Sequence, residues 1–163
     1  MTEAQIHAAE GRRDEALAAV ERAMALRAQA AGSQGLIRFV ALDAVADFAG
    51  DEKLRELLDV VDELNPGEQG PYMRAQKTRF RARLPEHDAE TELAAAERLF
   101  EEAEMPFYVA VTRLERAKVL LEDGRADEAA PLLEQARETF EHLGARPWLE
   151  RVDSATAATE VPA

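Results

Sequence analysis

The chain repeats itself, and this constrains its fold more than any other feature. Gly11-Arg12-Arg13-Asp14-Glu15-Ala16 returns as Gly124-Arg125-Ala126-Asp127-Glu128-Ala129, and Glu21 and Ala23 answer Glu134 and Ala136. A repeated helical unit with one apolar stripe cannot bury that stripe alone, so its copies stack on one another. Such stacks offer long surfaces rather than deep, chemically equipped pockets.

The helical period is explicit. Apolar or small residues recur at steps of four and three in Ala89, Leu93, Ala96, Phe100, Ala103 and in Ala129, Leu133, Ala136, Phe140, Leu143. Ala16, Val20 and Ala23 open the same series, as do Leu54, Leu58 and Val61. These steps hold side chains on one helix face. The series begin at 16, 54, 89 and 129, separations of 38, 35 and 40 residues, the length of a helix pair. Each series marks a second helix. First helices are expected near 2–10, 36–49, 71–84 and 106–122. Alanine, leucine, glutamate and arginine dominate, all strong helix formers. The alternation that makes strands is missing.

Punctuation agrees. Gly11, Gly50 and Gly124 stand where a chain leaving a helix needs a permissive residue. Asp14 and Asp127 put negative charge at helix starts, which suits the helix dipole. Pro71 and Pro106 fit first turns, whereas Pro131 removes one backbone bond near the end of a first turn. Residues 145–152, with the single tryptophan Trp148, are expected to cap the last pair. The prediction is an all-α fold: one domain over 1–152, of about four antiparallel helix pairs plus a C-terminal capping helix, then a frayed tail over 153–163.

Composition narrows the function classes. The chain has 163 residues, no cysteine and a formal net charge of -13. Disulfides and thiolate metal sites are excluded. The acidic field repels nucleic acid and anionic membrane, so neither is an expected partner. No apolar run approaches the roughly 20 residues of a membrane span, and the start lacks a signal peptide's regions. A cytoplasmic location is expected. No Gly-x-x-x-x-Gly-Lys-Ser/Thr loop cradles phosphates. His7, His87 and His142 lie far apart without a partner at helical spacing, so no metal site is expected. Asp43 and Asp47 are one turn apart, as chance allows on acidic helices, and Ser33 and Ser154 lack a neighbouring base. No catalytic residue and no cofactor are expected.

Gly-Arg-x-Asp-Glu-Ala, with alanine seven residues later, resembles the tetratricopeptide repeat, a right-handed superhelical stack of antiparallel helix pairs. The second half resembles something more specific. Glu104-Met105-Pro106-Phe107-Tyr108-Val109-Ala110, Leu114-Glu115-Arg116-Ala117, the second Gly-Arg-Ala-Asp-Glu-Ala and Thr139-Phe140-Glu141-His142-Leu143-Gly144-Ala145-Arg146-Pro147-Trp148-Leu149-Glu150-Arg151 look like the carboxy-terminal repeat region of large actinobacterial signalling proteins. In those, an adenylate/guanylate cyclase domain or a LuxR-type DNA-binding domain is joined to an ATPase module and a helical-repeat region. Leu54, where alanine is usual, and Leu84-Pro85, where a turn glycine would stand, depart from the repeat pattern.

The resemblance implies a non-catalytic protein-interaction and signal-relay scaffold, the C-terminal regulatory region of a larger cyclase or transcriptional regulator. In the repeat family first helices line the inner groove. Residues 71–84 hold Arg74, Lys77, Arg79, Arg81 and Arg83 and no acid. Arg74, Lys77 and Arg81 fall near one face, and the next first helix adds Arg113 and Arg116. With Tyr108, which like Tyr72 opens a first helix, Arg74, Lys77, Arg81 and Arg113 are the candidate groove residues, suited to an acidic protein or peptide. The competing reading pairs these cations with acids on adjoining helices, such as Glu90, Glu97 and Glu101. A small-ligand sensor closing on an anionic metabolite is the alternative function, and a homodimerisation or spacer arm a third.

Overall fold

A computed structural model describes residues 3–25, 49–62, 67 and 69–159. It contains α1 (Glu3–Ala9), α2 (Arg13–Ala25), α3 (Asp51–Asp62), α4 (Pro71–Arg81), α5 (Ala89–Glu102), α6 (Pro106–Glu122), α7 (Ala126–His142) and α8 (Arg146–Thr159). Among the described residues there are eight helices and no strand, so the chain is all-α. None of these helices is long and apolar enough to cross a membrane. The expected first helix at 36–49, with Phe39, Asp43, Asp47 and Phe48, lies almost wholly outside the described residues, as does Ser33.

One turn recurs four times. Residues 10–12, 103–105, 123–125 and 143–145 each join two helices, and each middle residue has positive φ: Gly11 +73°, Glu104 +54°, Gly124 +75°, Gly144 +64°. The hydrogen bonds match as well. The third residue's N–H reaches back five residues: Arg12 to His7, Met105 to Phe100, Arg125 to Leu120, Ala145 to Phe140. This closes the last carbonyls of the preceding helix in a Schellman motif. The turns within the expected pairs and between them are therefore the same. Sequence marks Gly11 and Gly124 as permissive turn residues; it places a turn at 104–106 and a last helix after Gly144, without assigning either residue the left-handed conformation. Gly50, also marked, is not in the left-handed region; its carbonyl accepts the Leu54 N–H at the start of α3.

At Gly124 a Cβ would meet nothing within 4 Å, so the glycine serves its dihedral angle alone. Glu104 holds the same conformation with a side chain. Glu104→Gly is expected to stabilise the protein by about 0.5–1 kcal/mol and Gly124→Ala to destabilise it by about 1 kcal/mol. Urea unfolding checks both; shifts of the same sign would contradict the shared turn geometry.

Contacts divide the chain into two compact units, Met1–Phe80 and Arg81–Ala163, where the sequence predicts one domain over 1–152. In the first, α1 packs on α2 and buries Ala4, Ala16, Ala19 and Val20. Helix α3 buries Leu54, Leu58 and Val61. Lys53 joins α3 to α2 through Glu21, at 3.0 Å.

In the second unit α6 is central. It packs on α5 and α7 and, more lightly, on α8. Ala110, Val111, Leu114, Ala117 and Leu120 of α6 meet Ala129, Leu133, Ala136 and Phe140 of α7 and Val152 and Ala155 of α8. The periodic series thus lies on buried faces, Leu93, Ala96 and Phe100 included. Ala89 and Ala103, at the ends of their series, are half-buried, and Leu143 is 45% exposed because it falls in the turn after α7. Ala136 is fully buried at the α6–α7 contact, where a small residue lets helices approach. Ala136→Leu is expected to overpack this contact and destabilise by about 1–3 kcal/mol in thermal unfolding.

Several expected boundaries move. The helix predicted over 71–84 ends at Arg81, and Leu84 in the following turn is buried. Asp88 then caps α5, its carboxylate accepting the Thr91 N–H at 2.8 Å. Hydrogen bonding from Thr91, its side chain first and then its N–H, holds the Asp88 carboxyl below the usual range. The capping helix does not stop at 152. It continues to Thr159, because Val152 and Ala155 continue a buried stripe, so residues 153–159 are helix rather than frayed tail. Pro131 falls in the second turn of α7, not the first; it is exposed, so water can reach the carbonyl it leaves unbonded.

Candidate functional site

Arginine and glutamate alternate along an ion-pair ladder on the second unit. Arg113 of α6 donates from Nε to Glu97 at 2.6 Å and from its terminal nitrogen to Glu101 at 2.7 Å. Arg116, one turn on, reaches Glu97 at 3.3 Å and Glu90 at 3.5 Å. Arg125, in the turn before α7, bonds Glu90 at 2.5 Å and Glu128 at 2.7 Å. The three acids of α5 fall at 90, 97 and 101, steps of seven and four, so one face of α5 meets the cations in register. Hydrogen bonds from Arg125 hold the Glu90 and Glu128 carboxyls below the usual carboxylate range. The same bonds, to Glu128 first and then Glu90, push the Arg125 guanidinium up. The Nε of Arg116 is buried without an acceptor, so the ladder is not fully satisfied.

The sequence-predicted site residues divide between the units. Arg74 and Lys77 belong to the first; Arg81, Tyr108 and Arg113 belong to the second. Arg74 is exposed and donates to the Gln69 carbonyl at 3.2 Å. Lys77 is mostly buried and paired with Asp62. A Lys77→Glu change would therefore set two carboxylates together rather than alter a free surface charge. Arg79 is 2% exposed and donates to Gln76 at 2.5 Å, and Gln76 donates to the Tyr72 hydroxyl at 2.9 Å. Arg81 is half-buried and already engaged. Arg83 bonds Glu115 at 2.7 Å.

Tyr108 stacks on Phe100, ring centroids 5.2 Å apart, and meets Phe107 edge-on. It is one member of an aromatic row that runs through Phe107 to Phe140 and Trp148. Arg113 and Arg116 take the acids named in the competing reading, Glu97, Glu101 and Glu90.

Two open grooves among the described residues of the second unit bear on the site. The smaller, about 470 Å³, is lined by Glu101, Glu104, Met105, Pro106, Val109, Arg113 and Thr139. Its one cation is already paired and two acids accompany it, a poor setting for an anion. The larger, about 650 Å³, runs between α6 and α8. Lys118, Leu121 and Glu122 form one wall; Pro147, Glu150, Arg151, Ser154 and Ala155 form the other. The α8 residues stand at i, i+3, i+4, i+7 and i+8, one helix face. That spacing was legible, but sequence reading ended the helix at 152 and so missed it. Arg151 lies over the Trp148 ring, 4.5 Å from its centroid.

No family model, no curated protein and no solved structure matches the chain. Among the described residues no group of three or more His, Asp or Glu side chains could hold a metal ion.

Proposed function

We propose that the chain is a non-catalytic protein-interaction scaffold that docks its partner in the α6–α8 groove. The resemblance over 104–152 extends the proposal to its setting, the relay region of a larger nucleotide cyclase or DNA-binding regulator. The observation that carries the reading is the groove itself: open, about 650 Å³, apolar along Leu121, Pro147 and Ala155, and rimmed by charge. A groove open along its length suits a protein segment better than an enclosed metabolite. The metabolite alternative loses its main support because the cations meant to hold an anion already have acids: Lys77 has Asp62, and Arg113 has Glu97 and Glu101.

Capture from the native host with wild type, Ser154→Arg and Arg74→Glu as baits tests this. Ser154 is exposed on the groove wall, so arginine fills the groove without disturbing the core. The expected result is that Ser154→Arg loses a protein that wild type and Arg74→Glu both retain. The captured protein, once purified, should also change the fluorescence of Trp148, the only tryptophan, through Arg151 above it. Equal recovery by wild type and Ser154→Arg would overturn the reading.

A further inference from the structure

The charges of the α6–α8 groove differ from those of the ladder. Arg113, Arg116 and Arg125 are each paired with acids of the ladder. Lys118, Glu122 and Glu150 are exposed, and among the described residues their side chains have neither an ion pair nor a hydrogen bond. Arg151 adds a second cation beside them, over Trp148. The groove therefore carries two cations and two acids in a chain of net charge -13.

That balance selects a partner. Two copies of so acidic a chain repel each other over most approaches. They can meet only where local charge is balanced and mixed, so that each sign on one copy finds the opposite sign on the other. A two-fold interface uses the same patch twice and must be complementary to itself. This groove meets that condition: α6 contributes Lys118 and Glu122, α8 contributes Glu150 and Arg151, and the floor between them is apolar. The exposed face of α8 is also a single ridge, at helical spacing, of a size to enter a groove between two helices.

We propose that a second copy of this chain occupies the groove, α8 of each copy lying in the α6–α8 groove of the other about a two-fold axis, with Lys118 facing Glu150 across the interface. The proposal rests on the reading of this groove as the docking face and names its partner.

Charge exchange tests it. In sedimentation equilibrium wild type should pass from monomer to dimer with rising concentration. Lys118→Glu and Glu150→Lys should each weaken it about tenfold or more, since each sets like charges opposite one another twice. A mixture of the two variants should regain it. In the mixed dimer the two substituted side chains face each other with opposite charge at one contact, and the original Lys118 and Glu150 face each other at the other. The double variant should regain it alone, with the pair reversed at both contacts. Circular dichroism should be unchanged throughout, both positions being exposed.

A wild type that stays monomeric up to about 1 mM, the weak end of measurable affinity, would overturn the proposal. So would a dimer indifferent to both substitutions, or single variants whose mixture is no tighter than either alone. If wild type is monomeric yet Ser154→Arg still loses a foreign protein in the capture experiment, the groove remains the docking face and only the second copy is excluded.

Discussion

Phe140→Ala is expected to destabilise the second unit by about 3–5 kcal/mol, the range for emptying a fully buried aromatic site. Phe140 has no exposed surface. Its ring meets Phe107 edge-on at 6.0 Å and stacks on Trp148 at 5.5 Å, so it joins α7 to both α6 and α8. Three helices cannot close together on the cavity that alanine leaves, because each is already held by its own turn. Leu143→Ala provides the contrast. Leu143 continues the same sequence series but is 45% exposed, so its loss should stay within about 0.5 kcal/mol. Urea unfolding followed by circular dichroism and by Trp148 fluorescence reads both. Equal effects would mean that the buried face of α7 is misassigned. The groove should suffer with the core, since α8 forms one of its walls and Trp148 anchors α8 to Phe140.

That contrast shows what a sequence of this kind makes legible. Leu133, Ala136 and Phe140 were readable as a buried face because burial imposes a period, and period is a local property of the chain. Leu143 obeyed the period but fell one residue beyond the helix, where the period no longer acts. Gly11 and Gly124 announced their turns. At 103–105 Pro106 announced a turn, but not its geometry, because Glu104 takes a positive φ without the residue that signals one. Residues 153–159 read as a tail because they are small and polar; only the burial of Val152 and Ala155 against α6 and α7 reveals a helix. The cations posed a different problem. Sequence named both possibilities for Arg113, a partner outside or Glu97 and Glu101 inside, and only the distances across α5 and α6 separate them. The larger groove was illegible because Lys118 and Glu150 become neighbours through the packing of α8 on α6, which no local pattern encodes.

Glu97→Ala is expected to destabilise by about 2–3 kcal/mol, the largest effect for any single charge in the ladder. Glu97 is buried and accepts from both Arg113 and Arg116. Removing it takes one acid from each of two partly buried guanidinium groups, leaving Arg113 with Glu101 and Arg116 with the longer contact to Glu90, and a charge that loses a buried partner costs more than the intact pair contributes. The effect stays below that of a fully buried pair because Arg113 and Arg116 keep some exposure, and because Arg116 already has one unsatisfied nitrogen. Arg137→Ala, which breaks the more exposed pair with Asp153, should stay within about 0.5 kcal/mol. Thermal melts of the two variants separate a structural ladder from surface decoration: equal melting temperatures would reduce the ladder to the latter. A double-mutant cycle adds the sharper test. If the deficit of Glu97→Ala comes from Arg113 losing its buried partner, the pair Glu97→Ala, Arg113→Ala should be less destabilised than the sum of its single changes. Additive effects would mean that Glu97 acts through its packing on α6, and that Arg113 is available to a partner after all.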